Sequence, residues 1–316
     1  MKIVTENPFT GERYESEGET VLHDGEVPYL TFSALEEMPW LAHGFSTRLG
    51  GVSAGTCESM NLSYSRGDDP EAVDENFRRI ADAVGFDREK IVFSDQIHRT
   101  EIREAGDADV CGSRLREKKF SGVDGLMTDV PGVVLATSYA DCVPVFLADP
   151  AHHAVASVHS GWRGTAAKIG KIAVLRMQER YESVPEELTA VIGPSICASC
   201  YEVSEEVAEA FREAFSAEET ERFLHEKGGG KYQLDLWIAV KCALLEAGLK
   251  KENIHISGAC TCCNSDLLWS HRATKGKRGN MLGFLQILPG RIDRSLHLQC
   301  GAESENVLFT GVMSSI

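Results

Sequence analysis

Three side chains that can bind a metal or attack a carbon stand where predicted strands end: His98, Cys142 and His159. A strand predicted over 91–93 leads to the first of them, and a β-rich run over 133–147 breaks at the second. A further run over 154–159 ends at the third, just before a segment with two glycines. Because catalytic side chains are often mounted at strand ends beside glycine-rich backbone, the sequence predicts a functional site here.

Spacing alone leaves the chemistry of these three residues open. Two imidazoles and one thiolate would leave a fourth position on zinc for water, which is the arrangement of catalytic rather than structural zinc sites. The separations of 44 and 17 residues match no compact zinc-finger motif, so a metal site would depend on the fold. Two alternatives are a Cys142 nucleophile with His159 as its base, and three unrelated polar residues. Asp141 and Asp124 are candidates for proton transfer, and Asp141 could instead orient a ligand or bond to backbone.

Two further segments could bind an anion or an aromatic ring. The loop over 44–55 is rich in glycine and holds one cation, Arg48, so its backbone N–H groups could approach an anion. Its spacing matches neither the P-loop nor the dinucleotide motif, and a plain surface turn is the alternative. Trp162 and Arg163 could stack a ring and bind phosphate, whereas a core tryptophan and a surface arginine are the alternatives.

Four of the ten cysteines form two Cys-x2-Cys pairs: Cys197 with Cys200, and Cys260 with Cys263. Two such pairs on tight turns would indicate a zinc ribbon. Because Cys200 precedes a predicted helix and apolar residues surround Cys260, we expect buried free thiols instead. The His-x-His pairs on which multicopper oxidases depend and the His-x-Glu of zinc deaminases do not occur in the sequence.

The elements that must position these residues alternate between strands and helices, which indicates a mixed α/β fold with helices outside the sheets. A helix is predicted over 70–84, between a capping aspartate and a terminating glycine. Another is predicted to begin near Thr165 and to point its N-terminus back toward the candidate site. Ser204 and Asp235 are predicted to cap two more helices. Residues 103–122 are charged and most simply form a mobile loop.

Composition limits the classes of partner. The formal net charge of −16, from 48 acids against 32 lysines and arginines, disfavours general binding to nucleic acid or an anionic membrane. Any anionic ligand must therefore meet a local basic pocket. Since no apolar run is long enough for a signal peptide or a membrane span, we expect a cytoplasmic protein with reduced thiols. With 43% hydrophobic residues and no repeat or long linker, we expect one domain over 1–316.

A series of short motifs, taken in order, resembles one family from about residue 40 to about residue 290. The motifs cover 43–48, 50–53, 61–63, 96–98, 124–125, 140–144, 159–165, 192–194, 200–203 and 260–261. The sequence is similar to the laccase-domain family, also called the multicopper polyphenol oxidase family or the YfiH-like proteins. This resemblance implies a single-domain layered α/β/β/α sandwich with mixed sheets. Residues from about 290 to 316 run past the usual end of the family and would form a C-terminal extension.

The resemblance also implies a zinc site on the three residues already suspected, His98, Cys142 and His159. It implies purine nucleoside phosphorylase activity, with side activities of adenosine deamination and methylthioadenosine phosphorolysis. On these motifs we assign substrate binding to six residues: Ser46, Arg48, Asn61, Gln96, Trp162 and Arg163. Asn280 departs from the family, since it stands near where a Gly-Arg pair is common.

We therefore expect a cytoplasmic zinc enzyme that acts on purine nucleosides (adenosine, inosine, guanosine and methylthioadenosine) and phosphate. The catalytic assignments are Cys142, Asp141 and Asp124, and copper is the less favoured metal. Some bacterial members of the family are described as peptidoglycan-editing amidases, so a metal-free Cys142–His159 hydrolase is one alternative. A copper polyphenol oxidase and a non-catalytic binding module are the others. The pattern predicts no oligomeric state.

Overall fold

The structure is a computed structural model that describes residues 1–14, 19–113, 115–117 and 120–290. The strands in these residues are β1 Thr20–His23, β2 Tyr29–Phe32, β3 Leu41–Ser46, β4 Ile91–Asp95, β5 Ile102–Glu104, β6 Phe120–Ser121, β7 Gly125–Thr128, β8 Val134–Tyr139, β9 Val143–Asp149, β10 Ala154–Ser160, β11 Thr189–Ile192, β12 Glu202–Ser204, β13 Leu224–Gly228, β14 Lys231–Leu234, β15 Ile254–Ile256 and β16 Met281–Ile287. The α-helices are α1 Ser33–Glu36, α2 Pro70–Val84, α3 Trp162–Ala166, α4 Ile169–Tyr181, α5 Glu205–Ala214, α6 Ala217–Phe223, α7 Leu236–Glu246 and α8 His271–Thr274.

Two large sheets dominate the described residues. The first has seven strands in the order β1-β2-β3-β16-β8-β4-β6, and β4 runs parallel to both of its neighbours. The second has six strands in the order β15-β11-β9-β10-β7-β5, with parallel pairs at both of its edges. The remaining neighbours are antiparallel, so both sheets are mixed, as the sequence predicted. A small sheet of β12, β14 and β13 stands apart from them.

The layers follow from where the apolar residues lie. One core, which includes Phe45, Tyr139 and Phe146, lies where the two sheets face each other. A second core lies between the second sheet and helices α4 and α7, and a third lies between the first sheet and α2. Because β9 and β10 are covered on both faces, they are buried along their whole lengths. The predicted α/β/β/α sandwich is confirmed.

Several local predictions are confirmed by the capping geometry. Asp69 accepts a hydrogen bond from Glu71 N at the start of α2, and Gly85 closes that helix in the left-handed conformation, with a φ of 88°. Asp235 accepts hydrogen bonds from two N–H groups at the start of α7. Ser204 occupies the N-cap position of α5, as predicted, but its side chain makes no capping hydrogen bond.

The helix predicted near Thr165 was placed wrongly. The chain forms two helices there, because α3 already begins at Trp162 and the backbone breaks at Lys168, whose φ is 56°, before α4. The glycines in this segment weaken a continuous helix, which fits the break. The predicted loop over 103–122 contains part of β5 and all of β6 in its described part. The predicted C-terminal extension after residue 290 lies outside the described residues, among which no helix is long and apolar enough to cross a membrane.

Candidate metal centre and adjoining cavity

The two large sheets bring His98, Cys142 and His159 together. Strand β9 begins just after Cys142. His159, near the end of β10, lies opposite Pro144 in the antiparallel register, so Cys142 and His159 lie at the same end of these two central strands. His98 arrives from the loop after β4, with a left-handed φ of 61°. One ligand atom from each of the three residues lies within 4.8 Å of the other two. The predicted cluster therefore exists.

Asp124 holds this cluster from behind. Its buried carboxylate accepts a hydrogen bond of 2.9 Å from His159 Nδ1 and three more from the backbone N–H groups of residues 97 to 99. Burial would raise the pKa of Asp124, but the hydrogen bonds from His159 and the backbone lower it below its usual value. The contact fixes the ring of His159 with its other nitrogen, Nε2, free for a ligand. Asp124 lines neither of the two cavities beside the cluster, and its contacts are those of a residue that positions other side chains.

Charge favours the thiolate form of Cys142. Burial alone would raise the pKa of this thiol, but the imidazoles of His159 and His98 outweigh burial and lower it. Conversely, the pKa of His159 is raised by the thiolate and by Asp124, although burial opposes this. A thiolate beside two imidazoles is the form in which cysteine binds metal ions and attacks carbon.

Gly161 makes room for the cluster. A Cβ atom at this position would lie 2.8 Å from His98 Cδ2, 3.3 Å from Cys142 Sγ and 3.6 Å from His159 Cε1. A side chain at position 161 would thus displace His98 and crowd the sulfur of Cys142. The two imidazoles, the thiolate and the space that the glycine leaves suit a single metal ion with two nitrogen ligands and one sulfur ligand.

A cavity of about 690 Å³ opens onto the cluster. Five of the residues proposed from the sequence line it: His98, Asp141, Cys142, Trp162 and Arg163. A smaller adjoining cavity of about 130 Å³ is lined in addition by Gln96, His159 and Asn280. Gln96 spends both ends of its amide on the backbone of Ser138, so it fixes the wall of this smaller cavity.

Asp141 lines the cavity with both carboxylate oxygens already bonded. One accepts from Thr261 Oγ1 at 2.6 Å and the other from Arg272 N at 2.7 Å. The residue has a φ of 85°, and its carbonyl accepts from Ile196 N. Asp141 therefore joins three loops of the cavity wall, and the proton-transfer role predicted for it stays a prediction.

Five arginines surround the cavity of this acidic chain: Arg66, Arg99, Arg163, Arg272 and Arg278. Arg278 is the buried one, and burial together with Arg66 lowers its pKa to about 10, which still leaves it charged at neutral pH. Asn280 Oδ1 accepts from both Arg66 and Arg278, so the residue that departs from the family holds two guanidinium groups side by side. Within the described part of the chain, the buried Arg278 Nε has no hydrogen-bond partner.

Arg48 lies elsewhere, contrary to its predicted role. It lines neither cavity, and its guanidinium donates to the carbonyls of Ser265 and Glu58 while lying 4.0 Å from the ring centre of Trp269. A guanidinium used in this way fastens its own loop to the segment around residue 265. We therefore do not carry Arg48 forward as a phosphate ligand.

Ser46 and Asn61 are buried and also lie outside the cavities. Ser46 Oγ accepts from Leu282 N, and Asn61 Oδ1 accepts from Asn280 N and Ser63 N. Both residues therefore act on the site through the backbone next to Asn280 rather than by contact with a ligand. Their motifs were visible in the sequence, but the direction of their side chains was not.

Sequence reasoning missed most of the positive charge and one aromatic ring: Arg66, Arg99, Arg272, Arg278 and Tyr201. The segment over 271–278 is visibly basic in the sequence, and this was the one signal that could have identified Arg272 and Arg278. Arg66 stands in an ordinary polar loop before α2. Only the fold brings it beside Arg278, 212 positions later in the chain.

Comparison with known proteins shows which family the sequence matches. The family described as multi-copper polyphenol oxidoreductase laccase matches residues 42–288. A protein of Geobacillus stearothermophilus named purine nucleoside phosphorylase YlmD is 37% identical over 243 residues, which are 77% of this chain and 88% of the relative. One from Bacteroides thetaiotaomicron named purine nucleoside phosphorylase is 34% identical over 260 residues, 82% of this chain and 96% of the relative.

A solved structure shows the same fold. The crystal structure of YlmD from Geobacillus stearothermophilus superposes with a TM-score of 0.80 and 34% sequence identity, covering 85% of this chain and 99% of that one. The matched region of the sequence includes the second sheet, the first sheet apart from β1 and β2, the His-Cys-His cluster and the arginines of the cavity. The chain belongs to the multi-copper polyphenol oxidoreductase laccase family.

Proposed function

We propose that this chain is a zinc-dependent purine nucleoside phosphorylase. The observation that carries the proposal is that the His98, Cys142 and His159 cluster and a group of arginines face one cavity. An anion site can hold phosphate for attack on a nucleoside, and a metal centre beside it can stabilise charge that develops in the reaction. The names of the relatives support the same activity.

Phosphate would bind beside Arg278 and Arg66. Arg278 lines both cavities, and its buried Nε has no hydrogen-bond partner in the described residues. Two guanidinium groups held by one amide oxygen offer a planar set of donors that suits phosphate. In a chain with a net charge of −16, such a local positive site is what allows an anion to bind.

Zinc is the metal we assign to the centre. Two imidazoles and a thiolate form a donor set that zinc accepts with one position left open. Asp124 supports it, because a carboxylate on the far nitrogen of a ligating histidine is the usual outer partner in zinc sites. A bound zinc ion would supply Lewis-acid chemistry, polarising an oxygen or lowering the pKa of a water molecule.

The nucleoside would occupy the larger cavity, whose volume of about 690 Å³ lies within the usual range for small-molecule sites. Trp162 and Tyr201 offer aromatic surface against which a purine can pack, and an arginine lies over each ring, Arg163 over Trp162 and Arg272 over Tyr201. We assign adenosine, inosine, guanosine and methylthioadenosine as substrates. None of these nucleosides carries a charge, so phosphate alone depends on the arginines.

In phosphorolysis, a phosphate oxygen forms a bond to C1′ of the ribose while the bond from C1′ to the purine nitrogen breaks. The electron pair leaves with the purine, and the proton of the hydrogen phosphate ends on that purine. Arg66 and Arg278 would stabilise the anion as its charge shifts. We also propose adenosine deamination at the same site, in which water supplies the new oxygen at C6 and ammonia leaves.

The test is phosphate-dependent release of adenine from adenosine by the zinc-loaded chain. Arg66→Gln and Arg278→Lys should each raise the KM for phosphate at least about tenfold, because a charge-assisted hydrogen bond contributes roughly 1.5–3 kcal/mol. Arg176→Gln, which changes an exposed arginine of α4 outside both cavities, should leave that KM unchanged. Adenine release without phosphate, or an unchanged KM for phosphate in Arg66→Gln, would remove the proposal.

A cysteine hydrolase is the second candidate, because Cys142, His159 and Asp124 are arranged as a nucleophile, a base and an orienting acid. Two measurements separate it from the zinc enzyme. Chelation followed by zinc addition should remove and restore phosphorolysis if the metal is required. A metal-free chain that keeps its activity, and that alkylation of Cys142 inactivates, would favour the hydrolase.

A further inference from the structure

We propose that the chain binds a second, structural zinc ion through four cysteines: Cys197, Cys200, Cys260 and Cys263. The fold brings these thiols together, with all four sulfur atoms within 4.8 Å of one another. They lie outside the His-Cys-His centre and line neither cavity. This inference does not depend on the proposed phosphorylase activity.

Distances between the sulfur atoms favour one shared ion. Four thiolates that each lie about 2.3 Å from a zinc ion are about 3.8 Å apart. The structure places Cys200 Sγ 3.5 Å from Cys263 Sγ, and Cys197 Sγ 4.0 Å from that same atom. Zinc with four cysteines has no open position, so the site would be structural rather than catalytic.

Backbone hydrogen bonds support a thiolate at Cys260. Its Sγ accepts from Cys263 N and from Cys197 N, each at 3.3 Å. Each Cys-x2-Cys pair lies on a turn, since Cys200 N bonds back to Cys197 O and Asn264 N bonds back to Cys260 O. These are the tight turns that the sequence alone did not predict. The donor Arg272 Nη1 lies 3.1 Å from Cys200 O, so a cation offsets part of the negative charge of four thiolates.

Other uses of four thiols suit the arrangement less well. Two disulfides would pair the sulfurs, whereas Cys263 Sγ approaches two different partners at similar distances. An iron–sulfur cluster places several irons between its thiolates and needs a wider cage than one ion does. Cys262 lies in the same turn as Cys263 but is outside the group of four, so it offers a matched control.

The ion would fasten two loops of the cavity wall. One loop carries Ile196 and Tyr201, which line the cavity next to the first pair of cysteines. The other carries Thr261, which bonds to Asp141, and continues to Arg272. The strand-like bridge between Ser195 and Cys260 already joins the two loops, and the ion would lock that junction. A structural zinc site contributes directly to folding free energy, so its loss should lower stability.

The first experiment counts zinc in protein purified without added metal. Wild type and Cys262→Ser should hold one more zinc ion per chain than Cys263→Ser and Cys197→Ser, and the latter two should also unfold at a lower temperature. Equal zinc content in all four proteins would overturn the proposal. So would a thiol count after denaturation without reductant that shows any of the four cysteines in a disulfide.

The second experiment isolates the site without changing it. The double variant His98→Ala with His159→Ala removes the other metal centre and leaves all four cysteines in place. Its X-ray absorption at the zinc edge should show only sulfur neighbours at about 2.3 Å. A retained ion with nitrogen or oxygen neighbours, a colour from iron, or no retained zinc would each overturn the proposal, even if the cysteine variants failed to fold.

Discussion

Asp124 determines how the metal centre is oriented without touching the cavity. Its carboxylate accepts from His159 Nδ1 and from three successive backbone N–H groups, including that of His98. The acid therefore fixes two of the three metal-binding residues at once, one through its ring and one through its backbone. Sequence motifs identified Asp124 as important, but they suggested proton transfer rather than this supporting role.

We expect Asp124→Asn to lower the zinc affinity of the His-Cys-His centre by about 10–100-fold, as is typical when an outer partner of a ligand is lost. The amide keeps the shape of the side chain but presents an N–H group where two backbone donors already point. Competition with a zinc chelator measures the affinity. Activity should return as zinc concentration is raised, because the ligands themselves are intact.

Asp149 offers the control for this prediction. It is equally buried, accepts from the backbone N–H groups of Ala151 and His152, and bonds to His152 Nδ1, yet it lies at the other end of β9. Asp149→Asn removes the same kind of buried carboxylate and should therefore leave zinc affinity unchanged. Equal zinc affinity in wild type and Asp124→Asn would contradict the supporting role.

His43 should make stability depend on pH. Burial lowers its pKa to about 4, and its Nε2 accepts from Phe32 N, so the ring is neutral in the folded chain. The unfolded histidine has a pKa of about 6.5, so between pH 6.5 and 4 only the unfolded state binds the proton. This contribution is present above about pH 6.5 and is lost as the pH falls toward 4.

From pH 7 to pH 5, His43 should lower the free energy of unfolding by about 2 kcal/mol. In His43→Gln, whose amide oxygen can still accept from Phe32 N, this part of the pH dependence should disappear. Urea unfolding of both proteins at the two pH values measures the difference between them. Parallel pH dependence in the two proteins would show that His43 is protonated in the folded state.

Among the elements, α7 shows what an N-cap can do beyond ending a helix. Asp235 is buried, caps α7 with one oxygen and accepts from Asn7 Nδ2 and Tyr14 OH with the other. The N-terminal segment is thereby tied to a helix more than 220 positions away in the sequence. Sequence analysis predicted the cap, but nothing near Asp235 indicated the distant partners.

We expect Asp235→Ala to lower the free energy of unfolding by about 3 kcal/mol or more. Loss of a cap costs roughly 0.5–2 kcal/mol, and each buried partner left unpaired adds about 1–3 kcal/mol. Ser204→Ala is the control, because Ser204 holds the same position on α5 without a capping bond. Its effect should stay within about 0.5 kcal/mol in urea unfolding. Similar losses in the two variants would contradict this difference.

Elements with strong local signals were predictable, and those decided by tertiary contacts were not. Pro70–Val84 has an N-cap, a leading proline and a closing glycine within its own sequence, and its bounds were predicted from them. The break at Lys168 has no such signal, because it depends on a left-handed residue that only the packing of α3 and α4 requires. Both Cys-x2-Cys pairs were visible in the sequence, but the predicted helix after Cys200 and the apolar residues around Cys260 favoured separate buried thiols, whereas the fold brings the four cysteines together.

At the scale of the whole molecule, the strands that carry the metal ligands lie in a layer covered on both sides. The candidate ligands Cys142 and His159 lie at one end of β9 and β10. The first sheet packs against the inner face of these strands. The family motifs predicted the layered fold and pointed to His98, Cys142 and His159, which the fold brings together and whose role as metal ligands stays a proposal. Single-residue patterns could not predict the arginine cluster, because its members come from loops far apart in the sequence.

Gly283 of β16 lies at a close contact between the two sheets. A Cβ atom there would lie 2.5 Å from Phe146 Cζ and 3.0 Å from Phe146 Cε1, so the phenylalanine ring of β9 occupies the space that a side chain would need. Both residues belong to the buried layer between the sheets. Because an interior this close-packed cannot absorb an added methyl group, Gly283 sets the distance between the two sheets.

We therefore expect Gly283→Ala to destabilise the fold by about 1–3 kcal/mol through overpacking. Phe146→Leu should also destabilise the fold on its own, because it leaves a cavity. Combined with Gly283→Ala, it should recover at least about 0.5 kcal/mol relative to the sum of the two single changes, since the smaller side chain relieves the clash. Gly25→Ala, where a Cβ would meet no atom within 4 Å, should change stability by less than about 0.5 kcal/mol. Urea unfolding of the four variants gives the coupling energy between positions 283 and 146. If the effects of the two single changes simply add in the double variant, the added methyl group does not clash with Phe146.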